Sequence, residues 1–220
     1  MGVTLVASQG RKIYNYPMFT SVNCPMPGCR RKSLAFSPYC RAHLTDQDTY
    51  FTHLKQTMSE QTTFHNLNMN RLKLNGFDLR NKDFSGCDFS GVKIEDCSFE
   101  GSCFHTCFFD FSFIHQTNFK DARVIFCDFS GGHLQDLDFS GSEILHTNFN
   151  GIEGRRLKFR DSDLYSSRFV ESRLEEVHFY DCNVKKTDFR RAVLTGVNFK
   201  YSNYEEGLFD APWIPEELER

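Results

Sequence analysis

From Phe64 onward an apolar residue recurs at every fifth position, through Met69, Leu74, Leu79, Phe84 and Phe89 to Phe199, Tyr204 and Phe209. The frame does not slip, and only Gly154 fails to supply a sizeable apolar side chain. A period of five fits neither regular element. On an α-helix each step turns the apolar position by about 140°, so no stripe forms. On a continuous strand an odd spacing sends successive positions to opposite faces. The chain must therefore turn once in every repeat.

The flanking positions agree with that geometry. Two residues before each apolar centre the side chain is small or modestly apolar, as at Cys87, Val92, Cys97, Ser102, Cys107, Ala122, Cys127, Ser142 and Thr147. Residues i and i−2 share a face of an extended segment, so both point inward. The immediate neighbours of the centre are mostly polar and point outward, as at Asp88, Asn118, Asp128, Asp138 and Asp188. Two residues after the centre glycine recurs, at 86, 91, 101, 131, 141, 151 and 196, where a corner needs a permissive backbone.

The segments CDFSG, LDFSG, TNFNG, TDFRR and VNFKY resemble the A(D/N)LXX signature of the pentapeptide-repeat family, with Phe at the centre, over about residues 62–211. The resemblance implies an all-β fold: a right-handed quadrilateral β-helix, a solenoid in which four pentapeptides make one square coil of twenty residues. Every second centre from Phe89 to Phe209 is Phe. In a square coil these fall on two opposite sides as two interior ladders, leaving the other two sides mostly aliphatic. Cys87, Cys107 and Cys127 stack at the same spacing. Coils about 4.8 Å apart would build a rod roughly 35 Å long.

A solenoid must cover its open ends. Residues 1–60 are read as an N-terminal tail, a zinc-binding module and a capping helix, 61–211 as the β-helix and 212–220 as a C-terminal cap. Thr45 is the expected N-cap of a helix over 46–59, with Asp48 near the positive end of its dipole. Tyr50, Phe51, Leu54 and Met58 would face the first coil. At the far end Trp213 is expected to plug the last coil of a monomer, before a helical turn opened by Pro215. The rival arrangement is an end-to-end dimer.

Cys24 and Cys29, joined by Pro-Met-Pro-Gly, precede Cys40-Arg-Ala-His43. Two close pairs linked by a short loop can converge on a tetrahedral ion, and Gly28 lets the first knuckle turn. The pattern is similar to the small CxxPGC…YCxxH zinc knuckles that accompany phage-type HNH nucleases, although the nuclease motif is missing. A structural Zn2+ held by Cys24, Cys29, Cys40 and His43 is therefore expected, with His53 as the substitute for His43. With all four positions taken by protein, no catalytic water is expected.

No run of apolar residues is long enough to cross a bilayer, and Met1 to Gly10 lack the basic and apolar regions of a signal peptide. The nine cysteines then fit a reducing, cytoplasmic setting, where metal binding or burial outranks disulfides. No GxSxG, HExxH, GxGxxG or Walker-type loop occurs, and a regular β-helix offers no cleft in which to tune a pKa, so no catalytic residues are expected. Cys103, just before a centre, should face out as the most reactive thiol. The histidines outside the metal motif scatter over different sides.

Two departures from the repeat remain. Gly154 leaves a hole in a ladder beside Arg155 and Arg156, predicting either a bulge partly filled by Ile152 or Leu157, or a bend presenting the arginines. Ile125, Leu145 and Tyr165 share one outward position a coil apart, with Phe126 at the adjoining corner and Phe108, Phe111 and Phe113 extending apolar surface round the neighbouring side. A contiguous exposed patch marks an interface. The alternative is that residues 1–23, with Val3, Leu5, Ile13, Tyr14 and Phe19, lie across it.

The leading expectation is a binding or scaffold protein that engages a protein partner. A second follows from the resemblance: some pentapeptide-repeat proteins mimic a DNA rod and bind type II topoisomerases, giving quinolone resistance. Mimicry calls for a long acidic face, whereas here Asp88, Asp110 and Asp128 share their side with Arg168, Arg190 and Arg191. A third is nucleic-acid contact through Arg30, Arg31, Lys32 and Arg41. Residues 1–60 carry seven Lys and Arg against three Asp and Glu, a surplus of four in a chain of net charge −3.

Overall fold

The computed structural model describes residues 22–211. Among them twelve strands of three residues line two sides of a right-handed, four-sided parallel β-helix of about seven coils. On the first side β1 (Thr63–His65), β3 (Asp83–Ser85), β5 (Cys103–His105), β7 (Arg123–Ile125) and β9 (Glu143–Leu145) pair in that order. On the third side β2 (Lys73–Asn75), β4 (Lys93–Glu95), β6 (Phe113–His115), β8 (His133–Gln135), β10 (Glu153–Arg155), β11 (Arg173–Glu175) and β12 (Val193–Thr195) do the same. Single parallel bridges hold the second side, from Asn68 and Asp88 to Asp188 and Leu208, and the fourth, from Asp78 and Ser98 to His178 and Asn198. In every pair the partner lies twenty residues along, so Phe64 meets Phe84 and Leu174 meets Leu194.

All the apolar centres between Phe64 and Phe189 turn inward, with the Gly154 backbone buried among them. On the second side Phe89, Phe109, Phe129, Phe149, Phe169, Phe189 and Phe209 stack with ring centroids 4.6–5.2 Å apart. On the fourth, Phe99 to Phe199 stack at 4.8–5.1 Å. The two columns meet edge to face, as Phe139 does Phe149 at 6.4 Å and 82°, the arrangement ring quadrupoles favour. The first side is not aliphatic throughout: Phe64, Phe84 and Phe104 stack at 5.0 Å before Val124, Ile144, Leu164 and Val184 take over.

The small inward residues do more than fill space. Ser102 Oγ donates to the Leu79 carbonyl at 2.6 Å and accepts from the Lys82 N–H at 3.0 Å. Ser142, Thr147, Ser162, Ser167 and Thr187 each donate to the carbonyl 23 residues earlier. Whereas Ser172 bonds within its own coil and Ser112 Oγ has no partner among the described residues, these hydroxyls thus join consecutive coils, which offsets the cost of desolvating them. Cys87, Cys107 and Cys127 make the same contact through Sγ, at 3.5–3.7 Å.

The N-terminal mouth is closed by α1 (Gln47–Glu60), whose Tyr50, Leu54 and Met58 are buried at helical spacing. Asp46, not Thr45, is the N-cap: its carboxylate accepts the Thr49 N–H at 3.0 Å, so the helix starts one residue later than the sequence predicts. Either residue can cap, and the ionised one gains more from the unpaired N–H groups and the dipole. At the other end Lys82 Nζ donates to the Ser59 and Gln61 carbonyls, at 3.0 and 2.6 Å. Trp213 and the rest of the expected C-terminal cap lie outside the described residues.

Gly154 causes neither bulge nor bend. Its strand pairs in register with Leu134 on one side and Leu174 on the other. A Cβ there would come within 2.9 Å of Leu157 Cδ1 and Leu174 Cδ2, so neighbouring side chains already fill the gap. Gly154→Leu, which restores the ladder on paper, should therefore destabilise by about 1–3 kcal/mol through overpacking. Phe129→Ala should cost about 3–5 kcal/mol by opening a cavity in the rod. Urea unfolding of the two variants against the parent measures both.

Candidate metal centre and exposed apolar surface

The segment before α1 is held by few backbone contacts. Asn23 bridges Lys32, and the Cys24 N–H donates to the Arg31 carbonyl at 2.9 Å. Between them the chain reverses through Gly28 at φ +74°, a left-handed value that glycine adopts without strain. A 3-10 turn, Arg41–His43, then swings His43 back over Cys40.

These two reversals gather the four expected ligands, whose donor atoms all lie within 4.8 Å of one another. Cys24 Sγ is 3.3 Å and Cys40 Sγ 3.5 Å from His43 Nδ1, and Cys29 Sγ is 3.8 Å from Cys40 Sγ. Tetrahedral zinc bonds of about 2.3 Å to sulfur and 2.0–2.1 Å to nitrogen require roughly 3.8 Å between sulfurs and 3.5 Å from sulfur to nitrogen. The group is of a size to take such an ion, with Cys24 and Cys40 buried. Burial resists ionisation of Cys24, but backbone groups at Cys40 and Met26 and the side chains of His43 and Cys40 outweigh it, holding the thiol at about 6. His53 lies exposed on α1, outside the cluster.

The knuckle is packed into the mouth of the rod. Leu34 and Ala35 belong to the apolar core, and Phe36 meets Phe64 edge to face at 6.4 Å. The Ala35 N–H donates to the Asn68 carbonyl at 2.8 Å, and the Asn68 amide donates to the Ser33 carbonyl at 2.8 Å.

The other cysteines are placed as core, apart from Cys103. Cys127 and burial push the Cys107 thiol up to about 12, and Cys182 rises to about 12 through burial. Cys103 is only half-buried, and burial, then Asp83 beside it, raises its thiol. An outward position therefore does not make it a reactive thiolate.

The predicted outward apolar ladder is present. Ile125 pairs with Leu145 in adjacent strands, both half-buried, and Tyr165 continues the column. Phe126, 54% exposed, holds a left-handed corner at φ +55°. The histidines are not scattered here. His105 meets Phe126 at 5.9 Å, His146 stacks on it at 5.2 Å, and Tyr165 meets His146 at 5.8 Å. Lys186 Nζ ends the row, 2.8 Å from Tyr165 Oη. Their near-twenty spacing was a signal available in the sequence. Phe108 is exposed on the second side; Phe111 holds its far corner and Phe113 lies beyond it, stacked on His133 at 4.7 Å. Residues 1–21, expected to compete for this surface, lie outside the described residues.

The repeat itself decides the family. A model of pentapeptide repeats matches eight copies, over residues 68–105, 117–153, 158–196 and 172–203, more than half of the chain. The chain belongs to the pentapeptide-repeat family. No curated protein matches it in sequence. Among solved structures it is similar to HetL, a pentapeptide-repeat protein involved in heterocyst differentiation regulation in the cyanobacterium Nostoc sp. strain PCC 7120. That match has 11% identity and a TM-score of 0.31, over 74% of this chain and 97% of HetL. It is similar also to a trypsin-treated form of QnrB1, a plasmid-mediated fluoroquinolone resistance protein. There the identity is 20% and the TM-score 0.32, over 67% of this chain and 76% of the other.

On this pentapeptide-repeat rod charges of opposite sign pair across coils. Arg123 meets Glu143 at 2.7 Å, Arg155 meets Glu175 at 3.5 Å, and Arg191 meets Glu171 at 3.0 Å. Arg156 grips Asp136 with Nε at 2.5 Å and Nη2 at 2.7 Å, so neither Arg155 nor Arg156 is left presented. Arg156, helped by Gln135 and His115, holds the Asp136 carboxyl well below the usual carboxylate range. Arg190 does the same for Asp188.

A depressed folded-state pKa means the unfolded chain takes up protons first as pH falls. The stabilisation is therefore complete above the unfolded carboxylate value near 4 and is lost as the pH drops below it. Asp136→Asn should lose less stability than the parent between pH 5 and pH 2, by no more than about 1 kcal/mol because the pair is part-exposed. Urea midpoints across that range measure the difference.

Proposed function

We propose that this chain is a non-catalytic binding protein of the cytoplasm. In this reading the coils of 61–211 form a rigid scaffold whose apolar corner docks on a protein partner. A structural zinc ion on Cys24, Cys29, Cys40 and His43 fixes the cap that the knuckle and α1 form over the first coil. The observation that carries the reading is Phe126, a bulky ring kept more than half exposed at a left-handed corner. Such a corner costs a non-glycine residue about 1–2 kcal/mol, and an exposed ring gains little from folding to offset it. Ile125, Leu145, Tyr165 and Phe108 extend that surface, with Phe111 and Phe113 round the corner. Concentrated exposed apolar surface of this kind is characteristic of binding sites.

Ile125→Thr, Leu145→Thr and Phe126→Asn keep strand-forming residues in the strands and place a left-handed-tolerant residue at the corner. The triple variant should bind the partner captured by the parent at least 10-fold more weakly while its thermal melt stays within a few degrees. A lower melt with unchanged binding would contradict the reading and favour intramolecular packing.

Removing zinc should unravel the cap while sparing the coils. Structural zinc contributes on the order of 10 kcal/mol of apparent binding energy to small domains. One zinc per purified chain is expected, and a chelator should expose Tyr50 and α1 to hydrogen exchange while the strands stay protected. A chain without metal, with a cap indifferent to chelation, would refute the zinc assignment.

A further inference from the structure

Docking the knuckle on the rod makes a concavity that neither part has alone. A cleft of about 860 Å3 runs between the Arg30–Lys32 segment and Arg41 on one wall and Asn66 to Arg71 on the other. It is continuous through Arg41, Asn70 and Arg71 with a second hollow of about 730 Å3, which reaches Lys73, Lys93 and Phe111. Among the described residues seven cations line the two, against the carboxylates of Asp88 and Asp110. Both carboxylates are engaged locally: Asp88 accepts the Ser90 N–H at 2.9 Å and Asp110 the Ser90 hydroxyl at 2.6 Å. Setting Lys32 aside, the described lining therefore carries six cations against two carboxylates, a surplus of four, in a chain of net charge −3.

Most arginines elsewhere on the rod are paired with carboxylates, Arg168 and Arg173 being without an ion pair among the described residues. Arginines at 80, 123, 155, 156, 190 and 191 all have carboxylate partners. Among the described residues Arg30, Arg31, Arg41, Arg71 and Lys73 have no ion pair. Lys73 and Lys93 face each other in register on β2 and β4. Like charges directly opposite are destabilising, and here Lys93 turns its ammonium to the Phe113 ring, 5.5 Å from the centroid, while Lys73 faces the hollow. Farther up the same side Glu153 lies opposite Arg173 in register and 2.9 Å from His133.

At the end of the cleft Phe111 sits at a left-handed corner, φ +54°, 66% exposed, with one edge of its ring against Gly131. A cationic groove that ends on an exposed flat ring matches the two parts of a single-strand binding surface: charge for the phosphates and a platform for a base. Arginine forks suit phosphate oxygens in particular. An acidic peptide would satisfy the cations but present no base to Phe111, and a stiff duplex does not follow a concave cleft.

We propose that this cleft binds single-stranded nucleic acid, through phosphate contacts to Arg30, Arg31, Arg41, Arg71 and Lys73 and base stacking on Phe111. The cleft shares Phe111 with the apolar surface proposed above but does not include the Phe126 corner, so Phe126→Asn and the Arg71/Lys73 variant separate the two readings.

The test uses the full, zinc-loaded chain and a fluorescent thymidine 15-mer. Five phosphate contacts at about 0.7 each in the log–log salt slope predict roughly a 100-fold loss of affinity between 50 and 200 mM salt. Arg71→Gln with Lys73→Gln, both exposed, should flatten the slope by about 1.4 without moving the melt. Phe111→Asn, which suits the left-handed corner, should weaken binding without changing the slope, and Phe126→Asn should change neither. Salt-independent binding, an unaltered Arg71/Lys73 variant, tighter binding to duplex of the same length, or equal competition by polyglutamate of matched charge would each overturn the proposal.

Discussion

The rod depends on one backbone device, a left-handed corner at every fifth residue from Asn66 to Tyr201. Only eight of those corners are glycine. Others are Asn or Asp, which tolerate the conformation, but Arg71, Phe111, Phe126 and Arg156 do not gain it cheaply. What holds them is the stacking of whole coils. Each turn hydrogen-bonds to the turns before and after it, inward hydroxyls such as Ser102, Ser142 and Ser167 tie two turns together, and the rings of the Phe columns lie on the rings twenty residues away. A single corner cannot relax without shifting every register above it. That over-determination lets left-handed residues persist where a side chain is wanted at the edge.

A structure of this kind has a weak point at its mouth, where the first coil has a neighbour on only one side. The chain answers it with α1 and the Cys24–His43 knuckle, joined to the first coil through Ala35, Phe36 and Asn68. The knuckle has little core of its own, so its shape rests on the gathered Cys24, Cys29, Cys40 and His43 side chains as much as on packing. Its position also decides surface chemistry. It brings Arg30, Arg31 and Arg41 beside Arg71 and Lys73, turning charges that would be scattered into one cleft.

Much of this was legible in the chain. One inward residue per five, with Phe at every second centre, leaves little besides a four-sided coil, and paired Cys and His residues at short spacing mark a site for a metal. Three things were not legible, each for a physical reason. The choice between Thr45 and Asp46 as cap turns on which acceptor reaches an N–H, a difference of one residue that composition does not decide. Gly154 reads as a bulge or a bend because sequence offers Ile152 and Leu157 as fillers but does not show Leu174 of the next coil closing the gap with them. Left-handed corners at bulky residues, and the meeting of Arg41 with Arg71, depend on tertiary contacts that local propensity opposes or does not encode.

The square coil itself can be measured by lengthening it. Inserting three further copies of one twenty-residue turn, residues 128–147, should extend the longest dimension in small-angle scattering by about 14 Å, at roughly 4.8 Å per coil. The cross-sectional radius of gyration should stay the same, since added turns stack on the ring columns and do not widen them. Growth in cross-section with no matching gain in length would show that twenty residues do not close a turn, and would contradict the fold on which everything else rests.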